Sequence, residues 1–262
     1  MSESVNINDL FQNAKNEGRL SQASSQALDV VDIGEQIAAA MGVTLTQVPA
    51  SEIVLVTMLV DDSGSIRFSQ NAQLIRDGHN MTLEALERTQ TRDSILVHTR
   101  YLNGYVLYPY CPVEKAKRMN NKNYDPSLGT PLYDQAVVVL GTVIAKAQSF
   151  IDNGIPARTV TLILTDGADA HSTRATEKTV KSLVKDMLVT ENHIIAALGV
   201  DDGSTDFRKV FKSMGIEDRW ILTAGNSQEE IRRAFNLFSR SVVAASKASG
   251  SFGQVSLGGF AA

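Results

Sequence analysis

The run Ile53-Val54-Leu55-Val56-Thr57-Met58-Leu59-Val60 ends abruptly in Asp61-Asp62-Ser63-Gly64-Ser65. Seven of the eight residues in the run are apolar and five are β-branched. A continuous apolar run of this length suits a strand buried on both faces of a parallel sheet, because a strand with one wet face would alternate. The polar stop places two carboxylates and two hydroxyls at the carboxyl end of that strand.

Two further runs of the same kind follow, Thr159 to Thr165 and Ile194 to Val200. Between and around them the spacing is helical or alternating. Phe68, Ala72, Ile75, His79, Leu83 and Leu86 recur three or four apart, which predicts one helix after Ser65 with His79 on the face near the sheet and not a ligand. Ile95, Val97, Thr99 and Tyr101 alternate up to Asn103-Gly104, a hairpin signal, and Tyr105 and Leu107 alternate beyond it. Pro109 suits an edge strand, which tolerates a missing N–H. The polar stretch 109–129 reads as a surface loop with a short helical piece. Thr130-Pro131 opens a helix to about Asn153, with Thr130 as N-cap. A helix is expected over roughly 173–189, and Ser204 is placed to cap one through Phe207, Val210 and Phe211. Trp220-Ile221-Leu222 reads as a short last strand, and Ser227-x-x-Glu230 as a capping box opening the final helix.

The order β-α-β-β-α-β-α-β-α-β-α predicts an α/β fold: a doubly wound, mostly parallel six-stranded sheet with one antiparallel edge strand. Residues 1–50 form an N-terminal extension with helical stretches near Ile7–Asn16 and Ala27–Met41, 51–248 the sheet domain, and 249–262 a Gly/Ser-rich tail carrying Phe252, Val255, Leu257 and Phe260. With 262 residues, 43% hydrophobic, the chain suffices for one such domain with extensions and not for two. A formal net charge of -4 argues against a nucleic-acid binder, which needs a clearly basic face. No apolar run approaches the roughly 18 residues of a membrane span, and no signal segment opens the sequence. The single cysteine, Cys111, excludes an intrachain disulfide and reads as a partly buried small residue. A cytoplasmic location is the expectation.

In open α/β sheets ligands sit beyond the carboxyl ends of the strands. Three loops of this chain are expected to meet there: Asp61, Ser63 and Ser65 after the first strand, Thr130 before the long helix, and Asp166 followed by Gly167 after the strand 159–165. Any one of these alone is an ordinary residue, since Asp often ends strands and Ser or Thr often caps helices. Together they are five hard oxygen donors without His or Cys, a set that favours Mg²⁺, Mn²⁺ or Ca²⁺ over zinc.

This pattern, Asp61-x-Ser63-Gly64-Ser65 with Thr130 in Gly-Thr-Pro-Leu and Asp166 in Leu-Thr-Asp-Gly, resembles the metal-ion-dependent adhesion site of the von Willebrand factor A (VWA) family over about Ser51 to Ser246. The resemblance implies that the Ser63, Ser65 and Thr130 hydroxyls contact a divalent cation, Mg²⁺ foremost. Asp61 and Asp166 would hold it directly or through water, with Asp62 outside. It implies too that an Asp or Glu of a partner protein fills the open position, so that the metal is a bridge between proteins. Stand-alone bacterial proteins of this kind act alongside AAA+ ATPases, or with kinase and phosphatase partners in stress-response and defence systems, which sets the expectation of an adaptor.

Two other classes compete. A structural subunit of a larger assembly would use the extension or the tail. A metal-dependent hydrolase or phosphotransfer protein would need a base at the metal; Asp62 and His171 are the available groups, Asp169 and His171 lie on the rim, and His171 reads as an exposed loop residue. No phosphate-binding glycine loop, His-Glu-x-x-His or Asp-x-Asp motif is present, so the expectation is a binding protein and not an enzyme. Lys115, Lys117, Arg118 and Lys122 read as a solvated loop, with steering of an acidic partner as the alternative.

Overall fold

The computed structural model describes residues 6–29, 31–44, 48, 50–225 and 227–247. Six strands form one sheet: β1 (Ile53–Val60), β2 (Ile95–Tyr101), β3 (Val106–Pro112), β4 (Ala157–Thr165), β5 (His193–Val200) and β6 (Ile221–Ala224), in the order β3-β2-β1-β4-β5-β6. All pairings are parallel except β2–β3, which closes over the Asn103-Gly104 turn. The switch in strand order lies between β1 and β4, which leave the sheet toward Asp61 and Asp166. All eight residues of β1 are buried, as a strand covered on both faces requires. Pro109 is exposed on β3, next to register shifts in the β2–β3 ladder, where no donor is missed.

The helices of the sheet domain are α4 (Gly64–Phe68), α5 (Ala72–Glu87), α6 (Leu132–Ile151), α7 (Glu177–Val189), α8 (Phe207–Ser213) and α9 (Gln228–Lys247). Helices α5 and α9 pack together, and α6 packs with α7. His79 on α5 is wholly buried and meets Tyr108 Oη at 3.0 Å and Thr99 Oγ1 at 3.2 Å. Burial drives its pKa down to about 4, so it is a neutral core histidine and no ligand. Cys111 is partly buried, and burial lifts its thiol to about 11.

Three helices precede the sheet: α1 (Ile7–Asn16), α2 (Gln22–Leu28) and α3 (Val31–Ala38). They lie on α6 and α7, and Ile7, Leu10, Phe11, Leu28 and Ile37 belong to the main hydrophobic core. Beyond α3 the chain runs along the sheet edge: Tyr110 donates to the Ala40 carbonyl at 3.0 Å and accepts from the Val43 amide at 2.9 Å. Between those bonds Gly42 has φ +59°, and a Cβ there would meet the Tyr110 backbone, so only glycine fits.

Local expectations are corrected at several points. The helix expected from Phe68 onward is two helices. Gln70 turns left-handed (φ 62°) in the polar run Ser69-Gln70-Asn71, its amide closing on the Arg67 carbonyl at 3.1 Å. As a result Ile66 is buried and Phe68 stands 86% exposed. Thr130 is not the cap of α6: Pro131 holds that position and no side chain caps it. Asp206, not Ser204, caps α8, accepting from the Lys209 amide at 3.0 Å. Helix α7 begins at Glu177 behind Thr176, because Asp134 binds the amides of Thr173, Arg174 and Ala175 and holds them out of the helix. Arg118 is no free steering cation; it pairs with Glu87 at 2.7 Å. The tail from Phe252 to Phe260 lies outside the described residues.

Candidate functional site

The loop after β1 folds around its own aspartate. Asp61 is fully buried; its Oδ1 accepts from the Ser63 amide at 2.7 Å and its Oδ2 from the Thr165 hydroxyl at 2.6 Å. Its carbonyl accepts from Tyr124 Oη at 2.5 Å. The turn so fixed starts α4 at Gly64 and sets the two serine hydroxyls side by side, Ser63 Oγ to Ser65 Oγ 2.8 Å. Asp166 arrives from β4: its Oδ1 accepts from Ser65 Oγ at 2.6 Å and from Ser63 Oγ at 3.5 Å. Ser63 and Asp166 are buried and Ser65 is exposed, so the cluster opens to solvent at Ser65.

Burial raises the pKa of Asp61 despite the hydrogen bonds that favour its carboxylate. Asp166 is pushed up to about 6, first by desolvation and further by the negative charges of Asp61 and Asp202, against the bonds from Ser65 and Ser63. Asp62 is raised as well, mainly by burial. The largest charge effects on Asp166 thus come from other carboxylates, Asp61 and Asp202.

Thr130 reaches the same end of the sheet by its main chain. Its amide donates to His171 Nδ1 at 2.9 Å, and its carbonyl accepts from the Ala170 and His171 amides at 3.1 and 3.3 Å. A Cβ at Gly129 would come within 2.9 Å of the His171 ring, so glycine there lets the imidazole close on the loop. Among the described residues the hydroxyl network joins Asp61, Ser63, Ser65 and Asp166 and does not include Thr130. His171 is exposed, as expected, but it is a tie between the 130 and 170 loops and not a bystander.

Other supports escape sequence reasoning. Asn103, legible only as a turn residue, donates from its amide and side chain to Asp62 Oδ1 at 3.1 and 2.8 Å and to the Gly129 carbonyl at 3.0 Å. Asp62 is thereby a hinge pin for the hairpin, and its carbonyl accepts from the Ser127 and Leu128 amides. Asp169 accepts from the Tyr133 amide at 3.1 Å and from Ser172 Oγ, fixing the start of α6. Thr165, next to Asp166 in sequence, had the signal of a strand residue and nothing more.

The same architecture occurs in solved structures. The open form of the pilus adhesin SpaC from Lactobacillus rhamnosus GG matches 73% of this chain and 30% of its own, with 14% identity and a TM-score of 0.55. Proximal thread matrix protein 1 of the mussel byssus matches 72% of this chain and 47% of its own, with 15% identity and a TM-score of 0.51. A von Willebrand factor type A protein from Catenulispora acidiphila matches 74% and 43%, with 15% identity and a TM-score of 0.48. The chain shares the α/β fold of the adhesin and the byssus protein. It spans less than half the length of each of these proteins, and identities this low speak for the fold alone. No family model matches the chain, and no curated protein matches it.

Within this fold the cluster lies at the switch point, where the carboxyl ends of β1 and β4 part. Its donors fit a small hard cation: two carboxylates and two hydroxyls within hydrogen-bonding reach of one another. Among the described residues no group of three or more His, Cys, Asp or Glu side chains is placed to hold a metal ion. No helix among the described residues is long and apolar enough to cross a membrane.

Proposed function

We propose that this chain binds a protein partner through a divalent cation held at the carboxyl end of the sheet. Ser63, Ser65 and Thr130 would supply hydroxyls, and Asp61 and Asp166 carboxylates, directly or through water; Mg²⁺ is the first choice, with Mn²⁺ or Ca²⁺ as alternatives. One observation carries the reading: among the described residues, two buried carboxylates from separate strands converge on two serine hydroxyls with no cationic side chain to balance them. A buried charge without a partner costs free energy, and a divalent ion supplies the missing charge. Neutral hydroxyl donors leave that ion electron-poor, so it takes a carboxylate from an Asp or Glu of another protein.

Binding, and not catalysis, is the reading for the described site. Of the four histidines, His79 and His98 are buried as neutral groups, His193 is half-buried with its pKa lowered to about 4 and bonds Thr159 Oγ1 at 2.7 Å, and His171 spends Nδ1 on the Thr130 amide. A general base poised beside the metal is therefore not supported. An adaptor working in the cytoplasm beside an AAA+ ATPase, or with a kinase or phosphatase in a stress-response or defence system, is the setting we propose for it.

The test is calorimetric titration of Mg²⁺, Mn²⁺ and Ca²⁺ into wild type and Asp61→Asn. It is followed by affinity capture from source-cell lysate in Mg²⁺ and in EDTA. The asparagine side chain can keep the bonds to the Ser63 amide and the Thr165 hydroxyl, so the fold should survive. Wild type should bind a cation and retain a protein that both EDTA and Asp61→Asn release. Equal retention in all four conditions would overturn the reading.

A further inference from the structure

The polar stretch 109–129 is anchored to the sheet domain in its second half, where Met119 and Tyr124 are buried. Asn80 on α5 clasps the main chain at Met119: its Nδ2 donates to the carbonyl at 2.9 Å and its Oδ1 accepts from the amide at 2.8 Å. Arg76, one turn earlier on α5, donates to the Tyr124 carbonyl at 3.0 Å. Tyr101 Oη, at the end of β2, donates to the Asn123 carbonyl at 2.9 Å. So fixed, the segment runs beside the loop that follows β1 and bonds it through the main chain. The Asp62 carbonyl accepts from the Ser127 and Leu128 amides at 3.0 and 3.2 Å, and the Gly64 amide donates to the Leu128 carbonyl at 3.0 Å. Tyr124 adds a bond from its side chain, the hydroxyl donating to the Asp61 carbonyl at 2.5 Å.

The Tyr124 phenol is fully buried, with its ring centroid 5.3 Å from that of Tyr101. Burial first, and then the negative charges of Asp61, Asp62 and Asp166, hold its hydroxyl well above the ordinary tyrosine pKa, so it stays a proton donor. It donates at the residue whose carboxylate lies deepest in the cluster. Both oxygens of that carboxylate are already held, Oδ1 by the Ser63 amide and Oδ2 by the Thr165 hydroxyl. The Tyr124 bond acts on the backbone instead. It fixes the peptide plane between Asp61 and Asp62, from which the turn to Ser63 and Ser65 departs. A plane free to rotate there would carry the two serine hydroxyls with it. A metal site needs its donors held to within about 0.5 Å, and groups that orient the donors from behind are worth roughly 10–100-fold in affinity.

We propose that Tyr124 is a positioning residue of the metal site: by holding the Asp61 carbonyl it sets the directions in which Asp61, Ser63 and Ser65 present their oxygens to the cation. The inference rests on the metal reading above.

Tyr124→Phe and Tyr101→Phe in the full chain test it as a pair. Each keeps its ring and loses one hydroxyl bond to a main-chain carbonyl, but only the Tyr124 hydroxyl bonds the Asp61–Ser65 loop. Mg²⁺ and Mn²⁺ are titrated calorimetrically into wild type and both variants, and urea midpoints in EDTA are recorded in parallel. Both variants should unfold at lower urea than wild type. Tyr124→Phe should bind Mg²⁺ at least about tenfold more weakly, and Tyr101→Phe as wild type does. Unchanged Mg²⁺ affinity in Tyr124→Phe would overturn the positioning role, leave a hydroxyl that only satisfies a buried carbonyl, and keep the metal site standing. An equal loss of affinity in both variants would overturn it too, since the metal would then be sensing a loosened segment. A wild type that binds neither cation would overturn the metal reading and the positioning role together.

Discussion

Among the described residues, two buried regions carry charge without a counter-charge, and they are opposite in sign. At the carboxyl end of the sheet, Asp61 and Asp166 are held by hydroxyls and an amide. Beneath the N-terminal helices, Arg100 and Lys146 are held by main-chain carbonyls: Arg100 Nη2 donates to Gln36 at 2.6 Å and Lys146 Nζ to Val43. The Lys146 ammonium also lies over the Tyr110 and Phe150 rings at 5.9 and 5.2 Å. The difference is access. The carboxylates adjoin an exposed serine, so an ion from solution can neutralise them; the cations are sealed by α3 and the segment after it. Charge at the open end is available for function, whereas charge at the closed end is a tie between the N-terminal segment and the sheet domain.

The severest way to break this comparison is to remove the cover. Deleting residues 1–44 takes Leu10, Phe11, Leu28 and Ile37 out of the core, each contributing about 1.5–3 kcal/mol, together with both carbonyl acceptors. The truncated chain should lose its cooperative urea transition or precipitate. A truncated chain with an unchanged midpoint would show the extension to be a separate appendage and the two cations to need no lid.

Next in size is the open end. A divalent ion at a hundredfold excess over its Kd should stabilise the chain by about 2.7 kcal/mol, on the order of 5–10 °C in Tm. Asp61→Asn should abolish that shift. The pH dependence has a definite sign. Because Asp166 titrates near 6 in the fold against 3.8 ordinarily, the folded chain holds more protons than the unfolded one between those values. In EDTA, stability should therefore fall as pH rises from 4 to 6. Metal binding needs the carboxylates ionised, so the Mg²⁺-induced shift in Tm should grow over the same interval and level off above it. A shift that is flat between pH 4 and 7 would remove Asp166 from the site.

How much of this could be read in the sequence follows from the same contrast. The sheet was legible because Ile53–Val60, Thr159–Thr165 and Ile194–Val200 are apolar throughout or nearly so, a pattern that burial on both faces imposes. The convergence of Asp61, Ser63, Ser65 and Asp166 followed, since parallel strands end on one side. What was not legible depends on contacts distant in sequence. The turn at Gln70 throws Phe68 outward, Asn103 reaches Asp62, His171 holds the Thr130 amide, and Val43 meets Lys146 across 103 residues. Local spacing carries no record of such partners. The polar layer around Arg100 and Lys146 was invisible for a further reason: a lysine within an apolar helix reads as a solvated gap in the pattern until the covering segment is known.

The smallest expected effect is the most discriminating for the closed end. Lys146 is almost fully buried, and desolvation brings its pKa down from 10.5 to about 8. At pH 7 the folded chain therefore carries a cation that burial disfavours, and Lys146→Met, one atom shorter and apolar throughout, should be neutral or stabilising by about 1–2 kcal/mol. Between pH 8 and 10.5 the unfolded chain holds the lysine proton that the folded chain has released, so wild type gains stability as pH rises through that window. A thioether cannot titrate, and the advantage of Lys146→Met should shrink over the same range, read as the difference in urea midpoints. A variant destabilised by several kcal/mol at pH 7 would show instead that the Val43 carbonyl and the two rings overcompensate for burial. The closed end would then be a built cation site in its own right, and the two ends of the sheet would differ in which side of the contact supplies the cation.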